Sequence, residues 1–464
     1  MPNTGYDAVE STGRRRSVVA VLMSEDKHLD GTKRRELIAN SRDLQRNYTI
    51  AGWACRKHLD FVSSFTFKAQ TGNTDLDARL EDLMTWWGRP HNCDAGRRHP
   101  LKRLVRLAEA RAVIDGDIGL LKLAAGQLQP IEGDRIRSPR GLVEDSDREV
   151  QGVRIDKTGG ALAYALHNRR RYNGFEFDRW IPASRMIQHG YFERFDQTRG
   201  ISPLASALNQ FRDVYENWDY ALAKAKVAQM FGLKLTRNAE ESAGYIETGT
   251  TESGNTVYDV DFGKGPVLLD MEPGDDAEFL ENKTPPTEFK EFTLAVISAA
   301  LKALDIPYCF YDESHTNFFG SKAALSLYLK ACEPKQDNLR ELLRKVTVWK
   351  MQQWILSGLL ELPAEMTIAD IHFEWIAAGL PWWDMSKEVE GDLKAIDGCL
   401  TTYTDVCKAR GLADWKKIVD RRAEENAYLA EKGVTPGQMA AALSTAVADQ
   451  PADEDADDDE EQAA

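Results

Sequence analysis

FDQTRGISPLASALNQFRDVYENWDYALAKAKVAQMFGL, residues 195–233, is the stretch that decides the fold of this 464-residue chain. Ser202 followed by Pro203 is a typical helix start, because a serine hydroxyl caps the first turn and proline suits the first helical position. Apolar residues then recur at alternating steps of four and three, which predicts packing against a neighbouring helix. We call these positions the seam: Leu204, Leu208, Phe211, Tyr215, Trp218 and Leu222. Gly232 is expected to end the helix.

Downstream of this helix the sequence changes to short β-like segments between glycine-rich turns, over residues 233–285. A second helix is predicted over 286–304, because two prolines open a new stretch of helical apolar spacing. Residues 305–320, DIPYCFYDESHTNFFG, have a loop-like composition. A long helix is predicted from 321 to 360, with a kink at Pro334. Two long helices therefore flank a compact β insert.

The region before the seam mixes helical and strand-like patterns, which predicts an α+β body. Apolar residues from Arg42 to Trp87 recur at steps of three and four, and short strand-like segments follow between residues 118 and 181. Asp156 to Gly160 has the composition of a hairpin turn between two of these strands. Residues 1–40 are polar and charged, so we expect a loose arm there.

Charge is unevenly distributed along the chain. The chain has 59 basic and 74 acidic residues and a net charge of −15, but nine acids and no base lie in the last sixteen residues. The rest of the chain therefore carries only −6, which excludes a basic nucleic-acid coat. Six scattered cysteines without a C-x-x-C pair, and apolar stretches too short for a signal peptide or a bilayer span, predict a soluble protein of a reducing compartment.

Motifs for catalysis or cofactor binding do not assemble in this sequence. The patterns GxxxxGK[ST], HExxH and GxSxG are absent. His91, Cys93, Asp94 and His99 lie within HNCDAGRRHP, but their spacing fits no zinc pattern, so a polar loop is favoured over a metal site. We predict no catalytic residue, no metal and no cofactor, which favours a structural or assembly role.

A basic stretch follows that loop. Positive side chains recur along the start of the next predicted helix: Arg97, Arg98, Lys102, Arg103 and Arg106. Two interpretations remain open. The charges form a solvated helix face, or they face phosphate or an acidic partner.

Five segments of the sequence resemble the lambda-like family of tailed-phage portal proteins. Residues 195–233 contain the pattern Q-x-R-G-x-S-x-L that precedes the family's first stem helix. The other four segments are GVRIDKTGGALAYAL (152–166), LLDMEPGDDAEFL (268–280), HTNFFGSKAALSLYLKACE (315–333) and the block from Trp382 to Arg422. Their order and spacing cover most of residues 40–430, whereas the first forty residues and the acidic tail match no part of the family pattern.

The resemblance implies a portal fold with a wing, a two-helix stem, a β-containing clip and a helical crown, which assembles into a ring. The implied divisions are a flexible N-terminal arm (1–40), an α+β wing (41–201), stem helix 1 (202–232), a clip (233–285), stem helix 2 (286–304), a channel loop (305–320), a long kinked wing helix and strand (321–384), a crown-like helical block (385–446) and an acidic disordered tail (447–464).

The family's function implies a ring, usually of twelve copies, at one capsid vertex of the virion, made in the host cytoplasm and without a membrane partner. The ring would form the channel for DNA packaging and ejection and nucleate procapsid assembly. Implied partners are the terminase large subunit, a head-completion or adaptor protein, the major capsid and scaffolding proteins, and double-stranded DNA. Within the channel loop, His315 and Asn317 are expected to face the duplex, with Lys322 adding a phosphate contact.

Three alternatives to these interpretations remain. The channel loop could be a surface loop without contact to DNA. The chain could be another virion scaffold or adaptor protein, with the seam helices in a fixed bundle. A hydrolase that uses the loop from His91 to His99 is the third possibility.

Overall fold

The computed structural model describes residues 22–139, 149–171, 174–230, 233–237, 275–279, 287–312, 318–363, 366–379, 385–412 and 414–433. They form a mixed helix and sheet structure, in agreement with the predicted α+β class. None of the helices in these ranges is both long and apolar enough to cross a membrane.

The helices are distributed over the whole described chain. In chain order they are α1 (Glu25–His28), α2 (Gly31–Asn47), α3 (Thr49–Val62), α4 (Thr74–Trp87), α5 (Pro90–Cys93), α6 (Leu101–Asp115), α7 (Leu208–Met230), α8 (Thr287–Leu301), α9 (Phe318–Leu356), α10 (Met385–Asp397), α11 (Tyr403–Arg410) and α12 (Trp415–Glu431). Short 3₁₀ turns precede α7, at Pro203–Ala207, and follow α8, at Lys302–Leu304.

The strands form four small antiparallel sheets among the described residues. They are β1 (Phe65–Ala69), β2 (Asp117–Lys122), β3 (Leu128–Glu132), β4 (Glu149–Val150), β5 (Val153–Ile155), β6 (Ala161–Arg169), β7 (Phe175–Pro182), β8 (Met186–Gly190), β9 (Leu233–Arg237), β10 (Asp275–Phe279) and β11 (Phe373–Ala377). Their orders are β3-β2-β8, β4-β5-β6-β7, β1-β11 and β9-β10.

A large apolar core joins most of the helices to the β3-β2-β8 sheet. Helix α4 shows how the sequence directs this packing. The Asn73 side chain caps its first turn by accepting from the backbone N–H groups of Asp75 and Leu76, at 3.1 and 3.2 Å. One stripe of the helix is then buried at steps of three and four: Leu76, Leu80, Leu83, Met84 and Trp87. A second, smaller core lies between the β3-β2-β8 and β4-β5-β6-β7 sheets.

Several predicted elements are confirmed. The strands expected between residues 118 and 181 correspond to β2, β5, β6 and β7, and the predicted hairpin turn joins β5 to β6. The second predicted helix is present as α8 followed by a 3₁₀ turn that ends at Leu304. The block from residue 385 is helical, as α10, α11 and α12. The predicted interior of the insert and the acidic tail lie outside the described residues.

Three predictions need correction. Residues 31–40 are not a loose arm, because they belong to α2, which Asp30 caps by accepting from the N–H groups of Thr32 and Lys33. The region from Arg42 to Trp87 is not only helical, since β1 interrupts it and pairs with the distant β11. The long helix α9 runs from Phe318 to Leu356 and not from 321 to 360; Pro334 lies inside it, and a kink there stays a prediction.

Candidate channel-forming helix pair and its anchor

The seam helix begins where the sequence predicts. The Ser202 hydroxyl accepts from the N–H of Leu204, at 3.2 Å, and donates to the carbonyl of Val113, at 2.6 Å. Pro203 occupies the first position of the 3₁₀ turn that leads into α7. One side chain therefore caps the helix and fixes its start to the end of α6.

Helices α7 and α8 form an antiparallel pair. The turn before α7 contacts α8 and the 3₁₀ turn that follows α8, so the start of one helix lies beside the end of the other. Beyond the opposite ends of the pair, β9 and β10 are antiparallel partners, with Leu233 opposite Phe279 and Arg237 opposite Asp275. The pair is thus a helical hairpin whose far end carries the inserted segment.

Burial decreases along the seam toward that far end. Leu204, Leu208 and Phe211 are buried, and the half-buried Tyr215 and Trp218 have ring centroids 5.1 Å apart. Tyr215 also accepts a hydrogen bond from the N–H of Ile50 in α3, at 3.1 Å, so the seam packs against the body as well as against α8. Exposed apolar side chains occupy the outer part of the pair: Tyr220 (71% exposed), Leu222 (54%) and Phe292 (59%).

A buried arginine anchors the base of α7. Arg199 is 2% exposed and belongs to the Q-x-R-G pattern noted above. Its guanidinium donates to both carboxylate oxygens of Asp117, at 2.7 and 2.8 Å, and to the carbonyls of Ile136, Gln151 and Gly133, at 2.7, 2.8 and 2.9 Å. All five N–H donors of the side chain are used, because guanidinium presents them in a fixed planar fork.

Asp117 is the acceptor on which this anchor converges. Its fully buried carboxylate also accepts from Arg34, at 2.8 Å, from the N–H of Gly200, at 2.9 Å, and from Gln188, at 3.1 Å. Burial raises the pKa of Asp117, but the charges of Arg199 and Arg34 lower it by more than burial raises it. The resulting pKa is about 2. Burial and the neighbouring Arg199 together lower the pKa of Arg34 to about 10.

A close backbone approach explains the glycine of the same pattern. The backbones of Gly200 and Gly116 touch, and a Cβ added to Gly200 would lie 2.2 Å from the carbonyl oxygen of Gly116. Gly116 has φ of 94°, a conformation that side chains other than glycine rarely adopt. The charge cluster around Asp117 therefore requires Arg199, and the close contact with the Gly116 backbone requires Gly200.

A second charge cluster continues from this anchor toward the surface. Arg42 makes a two-point contact with Asp115, at 2.8 and 2.5 Å, and reaches Glu132 and Asp134 at 3.1 and 3.2 Å. Arg169 binds the same two surface acids, at 2.5 and 2.9 Å. The clusters together tie α2, α6, the β3-β2-β8 sheet and β6 to the base of α7.

A third buried polar group lies between α3, α6 and β8. Glu109 accepts from His58 at 2.8 Å, from His189 at 3.0 Å, and from the hydroxyl of Tyr191. Burial raises the pKa of Glu109, but the hydrogen bonds from His189 and His58 lower it more strongly, so the pKa lies well below its usual range. None of these three clusters was predicted from the sequence. The only sequence feature that points to one of them is the Q-x-R-G pattern, which contains Arg199.

The predicted channel-loop residues are placed only in part. His315 and Asn317 lie outside the described residues. Lys322, in the first turns of α9, is 44% exposed, and its Nζ lies 2.6 Å from Oε1 of Glu388 in α10. Glu388 also binds Arg410 of α11, at 2.8 Å. A phosphate contact by Lys322 remains a prediction, and the ion pair shows that this contact would compete with Glu388.

Two of the four residues considered as metal ligands hold their loop together instead. Asp94 accepts from the backbone N–H groups of Gly96, Arg98 and His99, at 2.9 to 3.0 Å. The buried Cys93 thiol lies 3.6 Å from the carbonyl of Gly88. Within the described ranges, no group of three or more His, Cys, Asp or Glu side chains is arranged to hold a metal ion.

Comparisons of the sequence with known proteins agree on one family. The family model described as "Phage portal protein, lambda family" matches residues 11–334. A probable portal protein of Halomonas phage phiHAP-1 is 23% identical over 73% of this chain and 69% of its own length. Portal protein B of Escherichia phage lambda is 22% identical over 87% of this chain and 86% of its own. Among solved structures, the neck of an empty gene transfer agent particle aligns with a TM-score of 0.49 and 12% identity, over 81% of this chain and 94% of that one.

Proposed function

This chain belongs to the lambda family of phage portal proteins, and we propose that its copies close into a ring, of twelve subunits, at one vertex of the capsid. The α7–α8 pair would form the stem of the ring, the segment between β9 and β10 the clip, the body before α7 the wing, and the C-terminal helices the crown. The ring would be the channel for DNA packaging and ejection. It would nucleate procapsid assembly with the major capsid and scaffolding proteins, and later dock the terminase large subunit and a head-completion protein.

The observation that carries this proposal is the outer half of the helix pair. Leu222 and Phe292 are each more than half exposed in the single chain, although they continue helices whose inner halves are buried. A ring interface joins two different surfaces of identical subunits, so it would cover these side chains with a neighbouring copy. Apolar interfaces of this kind resist salt, because their stability derives mainly from buried apolar area.

The ring is tested by charge substitution on this face. The double variant Leu222→Asp and Phe292→Asp is expected to leave a folded chain that no longer assembles, because each carboxylate would be buried in the interface. Leu400→Asp is the matched control, since Leu400 is 85% exposed in the turn before α11. Mass measurement by ultracentrifugation and electron microscopy distinguishes rings from monomers. Rings of unchanged size in the double variant would contradict this assignment of the interface.

The proposed channel accommodates DNA without gripping it. Outside the acidic tail the chain carries a net charge of only −6, and phosphate binding is dominated by lysine and arginine. Portal proteins are structural components, and we assign no catalytic residue, metal or cofactor. The hydrolase alternative gains no support from the loop at His91–His99, because Asp94 and Cys93 are used to hold that loop together.

A further inference from the structure

The surface between α4 and α6 carries positive charge that has no partner among the described residues. Five exposed basic side chains lie between the end of α4 and the first turn of α6, and none of them makes an ion pair or a side-chain hydrogen bond to another described residue. We call them the basic patch: Arg89, Arg97, Arg98, Lys102 and Arg103. Arg106, in contrast, pairs with Asp60 at 2.7 Å.

The backbone holds the basic patch together. The N–H of Leu101 donates to the carbonyl of Gly88, at 2.9 Å, which brings the start of α6 against the end of α4. The Asp94 carboxylate fixes the loop between them, and its oxygens face backbone N–H groups rather than the patch. Trp86 lies beside the patch with 47% of its surface exposed. The start of α6 adds partial positive charge from the helix dipole.

We propose that the basic patch is the docking surface for the acidic segment of this same chain, residues 449–461. That segment contains nine carboxylates and no base. Since the rest of the chain is itself net negative, a polyanion is attracted most strongly where several unpaired basic residues lie close together.

The described end of the chain allows this docking. Helix α12 begins beside α4, because Lys417 lies 2.9 Å from Glu81 and Lys68 joins Glu81 to Asp414, at 3.1 Å each. Glu81 lies five residues before Trp86 on the same helix, or about 7.5 Å, and α12 is roughly 25 Å long. The sixteen steps from residue 433 to residue 449 span at most about 55 Å. The acidic segment can therefore reach the patch whichever way α12 points.

Docking would mask a surface suited to phosphate. Arginine and lysine bind carboxylates and phosphates through the same charge-assisted hydrogen bonds. With the segment in place, the patch would not hold DNA that passes near the wing. The inference does not depend on ring formation.

A zero-length carbodiimide crosslink on the full-length chain tests the proposal, because it joins a lysine amine to a carboxylate in direct contact. Lys102 is the lysine of the patch, and Lys157, exposed in the β5–β6 turn, is the reference lysine. Mass spectrometry is expected to find Lys102 joined to the acidic segment far more than Lys157. Raising salt to about 0.5 M should lower the Lys102 product roughly tenfold, because surface charge attraction is screened.

Charge reversal provides the matched comparison. The triple variant Arg97→Glu, Arg98→Glu and Arg103→Glu retains Lys102 and should lose the crosslink. A control triple variant changes the net charge equally at exposed arginines elsewhere: Arg46→Glu, Arg56→Glu and Arg185→Glu. It should keep the crosslink. A Lys102 yield no greater than that of Lys157, or a yield unchanged by the patch variant, would overturn the proposal. If Lys102 lacks the crosslink but the patch retards a DNA duplex, the occupant is nucleic acid and the proposal is wrong.

Discussion

At the scale of single residues, Arg199 shows why the family pattern has an arginine where another cation would not serve. Its fork satisfies one carboxylate and three carbonyls at once in a buried site. Lysine offers a point charge with three donors and cannot match this geometry. The start of α7 is therefore held by directional hydrogen bonds and not by charge alone.

Arg199→Lys is accordingly expected to lower the free energy of unfolding by about 3–5 kcal/mol, because it leaves buried acceptors and part of the Asp117 charge unpaired. Arg170→Lys is the matched control. Arg170 pairs with Glu176 on the surface, where both side chains are more than 60% exposed, so its loss should be about 0–1 kcal/mol. Urea denaturation of both variants measures the difference. Equal effects would show that the anchor does not stabilise the fold.

The low pKa of Asp117 predicts that the folded chain loses stability in acid. Its pKa is about 2 in the folded chain against an ordinary value of 3.8. A carboxylate whose pKa is depressed by folding contributes stability above the ordinary value, and this contribution is lost as the pH falls toward the folded value. The shift corresponds to roughly 2 kcal/mol, lost between about pH 4 and pH 2.

Asp117→Asn should therefore reduce stability at pH 6 and also flatten the decline of stability below pH 4. Unfolding free energies at pH 6, 4 and 3 test both effects. Some decline should persist in the variant, because the lowered pKa of Glu109 acts in the same direction below its ordinary value of 4.5. If the unfolding free energy of the variant declines as steeply as that of the unmodified chain, Asp117 is not the source of the acid sensitivity.

At the scale of elements, the sequence predicted structure wherever the determining information is local. The start of α7 was predictable because Ser202 and Pro203 lie in the turn that they shape. The buried stripe of α4 was predictable because helical spacing repeats within fourteen residues. β1 was missed because its partner β11 lies about 300 residues away, and the alternating pattern of Phe65 to Ala69 is only five residues long between two helical patterns.

The insert between α7 and α8 is expected to be separable from the rest of the chain. Replacing residues 240–272 with a short Gly-Ser linker keeps β9, β10 and both helices, so the helix pair should remain closed at its far end. We expect melting within a few degrees of the unmodified chain and normal ring formation, but loss of docking to the packaging motor. Calorimetry, electron microscopy and a motor-binding assay check the three outcomes. Loss of folding would show that the insert is part of the core.

At the scale of the whole molecule, the anchor could not have been predicted, because it forms only when distant segments meet. Arg34 lies in a run of three basic residues, Lys33 to Arg35, that is typical of a solvated arm. It is buried because it donates to the carboxylate of Asp117, 83 residues later, which lies at the start of β2, just after α6. The resemblance to portal proteins supplied the function, whereas neither composition nor spacing indicated which charges hold the start of α7 to the body before it.

The first part of the proposed channel loop and the helix after it contact the body, so His315 and Asn317 can be replaced without disturbing the fold. Phe310 stacks on Phe61 of α3 at 5.9 Å and contacts Tyr328 of α9 at 5.4 Å. After the loop, Lys322 is paired with Glu388. Because this pair is partly exposed, Lys322→Ala should cost only about 0–1 kcal/mol of stability.

Replacing His315 and Asn317 together tests whether the loop acts on DNA. Neutral donors position a duplex but bind it weakly, because they release few counterions. Their loss in the double Ala variant should therefore leave the packaging rate normal. It should reduce the length of genome that is retained. The double Glu variant places two negative charges beside the phosphates and should both slow packaging and shorten the retained genome. Lys157→Glu makes the same change of net charge on the exposed β5–β6 turn and should package normally. Genome length in a complemented phage, with ring assembly checked by microscopy, is the measurement. If rings form and the double Glu variant packages a full genome at the normal rate, this loop does not line the channel.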